Sequence, residues 1–105
     1  MFADLHIHTN FSDGICSPNE IINQAIIAGL EKISITDHDI FLGNIEAKNI
    51  VAKNKLDIEI ISGVEFSCFN NGTEFHIIGL FIDFNNLLIN SIIDNMQNKR
   101  VESIK

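Results

Sequence analysis

The chain of 105 residues has no tryptophan, no tyrosine, a single proline, two cysteines and half as many bases as acids. Each shortage excludes something. Cys16 and Cys68 have no C-x-x-C spacing and make no disulfide framework, so a reducing cytoplasm is the expected compartment. Seven bases against 14 acids give a formal net charge of −7. That balance disfavours a module that coats nucleic acid passively, since such binding needs Lys and Arg to neutralise phosphates. It leaves open action on phosphate esters through a bound cation. No apolar run approaches the roughly 18 residues of a membrane-spanning helix. The start, Met1-Phe2-Ala3-Asp4, lacks the basic and apolar regions of a signal peptide. What is present suffices for a core: 46% of residues are apolar and 20% charged, and the length suits one domain. Ile occurs 21 times and Asn 13 times, so an isoleucine at any one position carries little information. The placement of His, Asp and Glu carries more.

Short apolar runs alternate with helical patterns, which predicts an α/β chain with βα units and a largely parallel sheet. Phe2 to His8 reads as a strand with Leu5 and Ile7 on one face and His6 and His8 on the other. A polar loop, Thr9 to Cys16, holds Asp13-Gly14. Ser17 then caps a helix, with Pro18 at its first position and Glu20 completing an S-x-x-E box. Ile22, Ala25 and Ile26 form its apolar stripe and Gly29 its stop. Lys32 to Thr36 reads as a second strand, about Asn44 to Asn54 as a second helix, and Ile58 to Ile61 as a third strand interrupted at Gly63. Val64 to Phe69 and Thr73 to Phe81 flank Asn71-Gly72, a strong hairpin signal because both turn positions need positive φ. In that register Ser67 faces His76 and Glu65 faces Ile78, which puts Glu65 and His76 on one face as diagonal neighbours. A one-residue slip would separate them. Asn86 to Lys105 reads as a third helix with Ile89, Ile92, Ile93 and Met96 on one side.

All four histidines lie near acids or near each other. His6 and His8, at i and i+2 on a strand, point the same way, as two ligands to one ion require. The alternative is a solvated strand face. Asp13 stands in the loop leaving that strand, either as a ligand or as an ordinary turn residue before Gly14. His38 sits between Asp37 and Asp39 just past a strand end, where α/β sheets collect their sites. Acid–His–acid suits a ligand whose second nitrogen is held by a carboxylate, and equally a helix start with capping acids. Glu65 follows an apolar run, where an acid is costly unless paired or bound to metal. His76 alone reads as structural. Together these six form an oxygen and imidazole set that suits Mn²⁺, Zn²⁺ or Fe²⁺, in a cluster of two or three ions.

Four stretches then resemble the polymerase and histidinol phosphatase (PHP) family in the family's order: Asp4-Leu5-His6-Ile7-His8-Thr9-Asn10-Phe11-Ser12-Asp13-Gly14, Thr36-Asp37-His38-Asp39, Gly63-Val64-Glu65 and His76-Ile77-Ile78-Gly79-Leu80. Within it, T-D-H-D, the E-F-S step and H-I-I-G-L look most like stand-alone phosphoesterases. These include the enzyme that removes the 3′-phosphate from nucleoside 3′,5′-bisphosphates and trims short RNA from its 5′ end. Polymerase-associated PHP modules and histidinol-phosphate phosphatases are the alternatives.

The resemblance implies a metal-dependent phosphoesterase acting on a nucleotide or short nucleic acid, with a hydroxide bridging the ions as nucleophile. It implies that His6 and His8 bind one ion, that Asp13 and His38 bind others, that Glu65 bridges two and that His76 completes the cluster. Asp13, His38 and Glu65 form the implied catalytic set. Asp37 is implied to support rather than ligate, and Asp39 has no assigned role. Ser12, Cys16 and Ser67 are scaffolding candidates, and Arg100 is a phosphate contact or a surface helical residue.

The fold implied is a distorted seven-stranded β/α barrel. Residues 1–105 supply its N-terminal half, with four to five strands and three helices. The later His and the C-terminal Asp-x-His of the family have no counterpart here. The chain is therefore expected to be part of a longer domain, to hold ions weakly and lack activity by itself, and to self-associate through open sheet edges.

Overall fold

The computed structural model of the chain describes residues 2–94. Five strands and two complete helices follow in the order β1 (Ala3–Ile7), α1 (Pro18–Ile27), β2 (Lys32–Ile35), α2 (Leu42–Asn54), β3 (Glu59–Ile60), β4 (Gly63–Asn70) and β5 (Thr73–Leu80). Residues 87–94 are helical as well. Met96, Arg100 and the rest of the expected third helix lie outside the described residues.

Local chemistry accounts for the boundaries. Ser17 accepts from the Glu20 amide and the Glu20 carboxylate accepts from the Ser17 amide, so the predicted capping box forms. At the other end Leu30 N donates to Ala25 O and Gly29 N to Ile26 O, which closes α1 at Ile27. The β4–β5 turn has Asn71 at φ +52° and Gly72 at +79°, as a two-residue hairpin requires. Its register is the one predicted: Ser67 opposite His76 and Glu65 opposite Ile78.

β1, β2 and β3 form a parallel sheet in that order. α1 and α2 touch each other over one of its faces. Ile22 and Ala25 from α1, Ala47 from α2, and Ile33, Ile35, Ile58 and Ile60 make the core. β4 and β5 form a separate antiparallel pair, the hairpin predicted at Asn71-Gly72. The two parts are nevertheless in register. Ile33 pairs with Ile60 and His38 bridges Glu65, an offset of 27 residues in both cases. β3 and β4 therefore act as one strand beside β2 and its extension. The gap between them is filled by side chains. Asn44 Nδ2 donates to both Ile35 O and Ile61 O at 2.9 Å, and Ser34 Oγ donates to Ile61 O at 2.7 Å. These bonds give the carbonyls at the gap side-chain donors.

Candidate metal centre

The alternation along β1 carries His6 and His8 to one side, as the strand period requires. β2 ends at Ile35 and its extension presents His38. The bridge between His38 and Glu65 brings β4 alongside, and the hairpin register returns His76 to the face of Glu65. The six residues singled out in the sequence therefore come together, from four parts of the chain.

Glu65 is the hub. Its Oε1 lies 2.9 Å from His6 Nε2, 2.7 Å from His8 Nε2 and 4.0 Å from His38 Nδ1. Its Oε2 lies 2.9 Å from His76 Nδ1. Asp13 forms a second junction, with Oδ1 2.7 Å from His8 Nδ1 and Oδ2 3.1 Å from His38 Nε2. The rings follow one another around the acids: His6–His8 at 5.1 Å, His8–His38 at 4.3 Å and His38–His76 at 5.1 Å between centroids. Three overlapping groups result, each with donor atoms within 4.8 Å: His6, His8 and Glu65; His8, Asp13 and His38; His38, Glu65 and His76. Asp37 and Asp39 belong to none of them.

The electrostatics favour ionised acids. Burial alone would raise the Glu65 carboxyl, but hydrogen bonds from His6 and His8 and the charges of His38 and His8 hold it below the ordinary range. For Asp13 burial also works upward, and the charges of His8 and His38 with the His8 hydrogen bond outweigh it. Both acids thus offer oxygen lone pairs at neutral pH.

This donor set can hold divalent cations. Metal–donor bonds of about 2.0–2.1 Å place neighbouring donors about 2.9–3.4 Å apart, close to the separations here. His38 Nδ1 is buried and lacks a hydrogen-bond partner among the described residues. An orphaned ring nitrogen costs free energy unless something approaches it.

The supporting residues were less visible in the sequence. Asp37 is buried and accepts from Thr9 N, Thr9 Oγ1 and Ser12 Oγ, all at 2.6 Å, so it ties down the loop that carries Asp13. Ser12 was a scaffolding candidate and Thr9 was not. Gly43, at the start of α2, leaves room for this cluster: a Cβ there would stand 2.5 Å from Asp37 Oδ2 and 2.8 Å from Thr9 Oγ1. Glu74 reaches His76 Nε2 at 3.4 Å, and its i, i+2 spacing on a strand was the signal for it. Ser67, a scaffolding candidate, is buried with its amide bound to Asp39 Oδ1. Cys16 and Cys68 are both free thiols, and Cys16 Sγ accepts from Gln24 Nε2 at 3.6 Å.

A mixed α/β chain whose strand ends and hairpin gather this constellation matches one known class. Residues 4–100 match the PHP domain model, and the chain belongs to that family. A 5'-3' exoribonuclease of Haemophilus influenzae is 40% identical over 80 residues, covering 76% of this chain and 28% of the relative. A 3',5'-nucleoside bisphosphate phosphatase of Chromobacterium violaceum is 38% identical over 80 residues, covering 76% of this chain and 27% of the relative. Among solved structures, an amidohydrolase from Chromobacterium violaceum with bound sulfate and no metal superposes with a TM-score of 0.85 at 31% identity. That superposition covers 97% of this chain and 35% of the other. The chain thus spans less than a third of the length of these two curated relatives.

Proposed function

We propose that the chain is the N-terminal part of a PHP-domain phosphoesterase. In this reading His6, His8, Asp13, His38, Glu65 and His76 hold two or three divalent ions, of Mn, Fe or Zn. The observation that carries it is the overlap of three donor groups, two of which share Glu65. The substrate class is a phosphate ester of a nucleotide or short oligonucleotide. The relatives named above, an exoribonuclease and a nucleoside bisphosphate phosphatase, support that class.

The bound ions would supply an activated water and neutralise charge on the phosphoryl oxygens. The chain's own residues do the rest. Glu65 spans His6 and His8 on one side and His76 on the other, so it sets the spacing of the ion positions. Asp13 stands between His8 and His38, where its two oxygens would complete the ligand set of a second ion position. Asp37 keeps Asp13 in place through Thr9 and Ser12.

No helix among the described residues is long and apolar enough to cross a membrane. Two free cysteines support a reducing compartment, the cytoplasm. Self-association is proposed through the β5 edge, which pairs with no other strand among the described residues. A sedimentation coefficient that rises with concentration is the expected result.

The deciding test is metal content of the full-length protein that contains this chain, with and without Glu65→Gln, alongside phosphate release from a nucleoside 3′,5′-bisphosphate. The wild type should retain Mn, Fe or Zn. Glu65→Gln should lower affinity by more than about tenfold, because it removes a charge shared by two ion positions. A wild-type protein without bound metal after loading would sink the reading.

A further inference from the structure

We propose that Asp39 is a positioning residue, whose carboxylate replaces a backbone carbonyl in the ladder that fixes Glu65. The inference rests on the metal reading above and assigns a part to a residue outside the six donors.

The ladder between the β2 extension and β4 runs in the parallel pattern. Glu65 N donates to Asp37 O at 3.0 Å, and Asp39 N donates to Glu65 O at 3.0 Å. In that pattern the next bond runs from Ser67 N to the Asp39 carbonyl. The chain does not allow it. Asp39 turns left-handed, at φ +53°, as the backbone leaves the sheet toward α2. Ser67 N instead donates to Asp39 Oδ1 at 2.8 Å. The side chain thus adds the rung that the turn removes. Asp and Asn are the non-glycine residues best able to combine that φ with a short oxygen acceptor.

The rung matters because of where it falls. Glu65 and Ser67 share one face of β4, and β5 beyond them is exposed at Phe75, Ile77 and Ile78. β5 pairs with β4 along the whole hairpin but is not in the parallel sheet, so it does not tie Glu65 to that sheet. The bonds to Asp37 and Asp39 pin β4 on both sides of the residue that touches His6, His8 and His76. Asp39 is 1% exposed, so this bond competes with little water. The two acids flanking His38 then have matching tasks in opposite directions. Asp37 holds the loop of Asp13, and Asp39 holds the strand of Glu65.

The test compares wild type, Asp39→Asn and Asp39→Gly by titration with cobalt(II) chloride, read by its visible absorption. Ser67 amide exchange is measured in the same samples without metal. Asn keeps an oxygen acceptor and tolerates the left-handed turn, whereas Gly keeps only the turn. Asp39→Asn should show the wild-type band with affinity within about threefold, and Asp39→Gly should bind at least about tenfold more weakly. Ser67 exchange should accelerate in Asp39→Gly alone. Cobalt affinity in Asp39→Asn as weak as in Asp39→Gly would overturn the proposal, since charge would then be the requirement. Wild-type cobalt affinity in Asp39→Gly would overturn it too, since only the turn would matter. If Asp39→Gly does not fold, the Asn variant decides alone. If the wild type binds no cobalt, the metal reading fails, while unchanged Ser67 protection in Asp39→Gly separately refutes the rung.

Discussion

β2 and β5 each deliver one histidine to the centre, from opposite physical environments. Ile33, Ser34 and Ile35 of β2 are fully buried between β1, β3 and the helices. Thr73 to Ile78 of β5 are exposed throughout, with Phe75, Ile77 and Ile78 among the exposed apolar residues. His38 accordingly leaves a strand that packing holds on both faces. His76 stands on β5, whose only strand partner among the described residues is β4. The lesson is that a candidate metal centre can join a buried wall to an exposed one, provided the hub between them is tied to the buried side. Glu65 is that hub, and its backbone bonds go to Asp37 and Asp39.

The largest contrast should appear in stability. Ile33→Ala removes a fully buried side chain and should cost about 2–5 kcal/mol, whereas Ile77→Ala on β5 should cost less than about 1 kcal/mol. Urea unfolding measures both, and equal costs would erase the distinction between the walls. Next comes Gly43→Ala on the buried side. Its Cβ would press on Asp37 Oδ2 and Thr9 Oγ1, for a cost of about 1–3 kcal/mol. A Gly43→Ala protein as stable as wild type would mean that the Asp37 cluster yields easily.

The smallest effect tests the hub by pH in the metal-free chain. The Glu65 carboxyl titrates below its ordinary 4.5 in the folded state. Its histidine contacts therefore stabilise the fold above that value, and the contribution drains away as pH falls through the lower folded value. The urea midpoint of the wild type should fall between about pH 5 and about pH 3, and the fall should be shallower in Glu65→Gln. Parallel curves for the two proteins would remove Glu65 from the acid response.

Several parts of this site could be read directly from residues close in sequence. The H-x-H spacing on β1, the capping box at Ser17 and Glu20, and the Asn71-Gly72 turn all depend on local geometry. Each therefore appeared where expected. The hairpin also carried a longer inference, since its register alone placed Glu65 and His76 on one face. Harder to see were Asn44, Gly43, Thr9 and Asp39. Asn44 has no pattern that distinguishes a buried bridge between two carbonyls from a polar helical residue. Gly43 matters only because Asp37 and Thr9 arrive beside it.

The sequence by itself determined the ligand types, their order along the chain, the secondary structure that displays them and the family to which they belong. Those follow from side-chain chemistry and from periods of two and 3.6 residues, which operate within a few positions. Only the tertiary structure decided that Glu65 meets four histidines and that β3 and β4 share one register against β2. It also decided that a carboxylate takes the place of a carbonyl at Asp39. Apart from the hairpin pair Glu65–His76, these contacts join residues 27 to 59 positions apart. Their geometry depends on how the core packs the strands together, which no local pattern encodes.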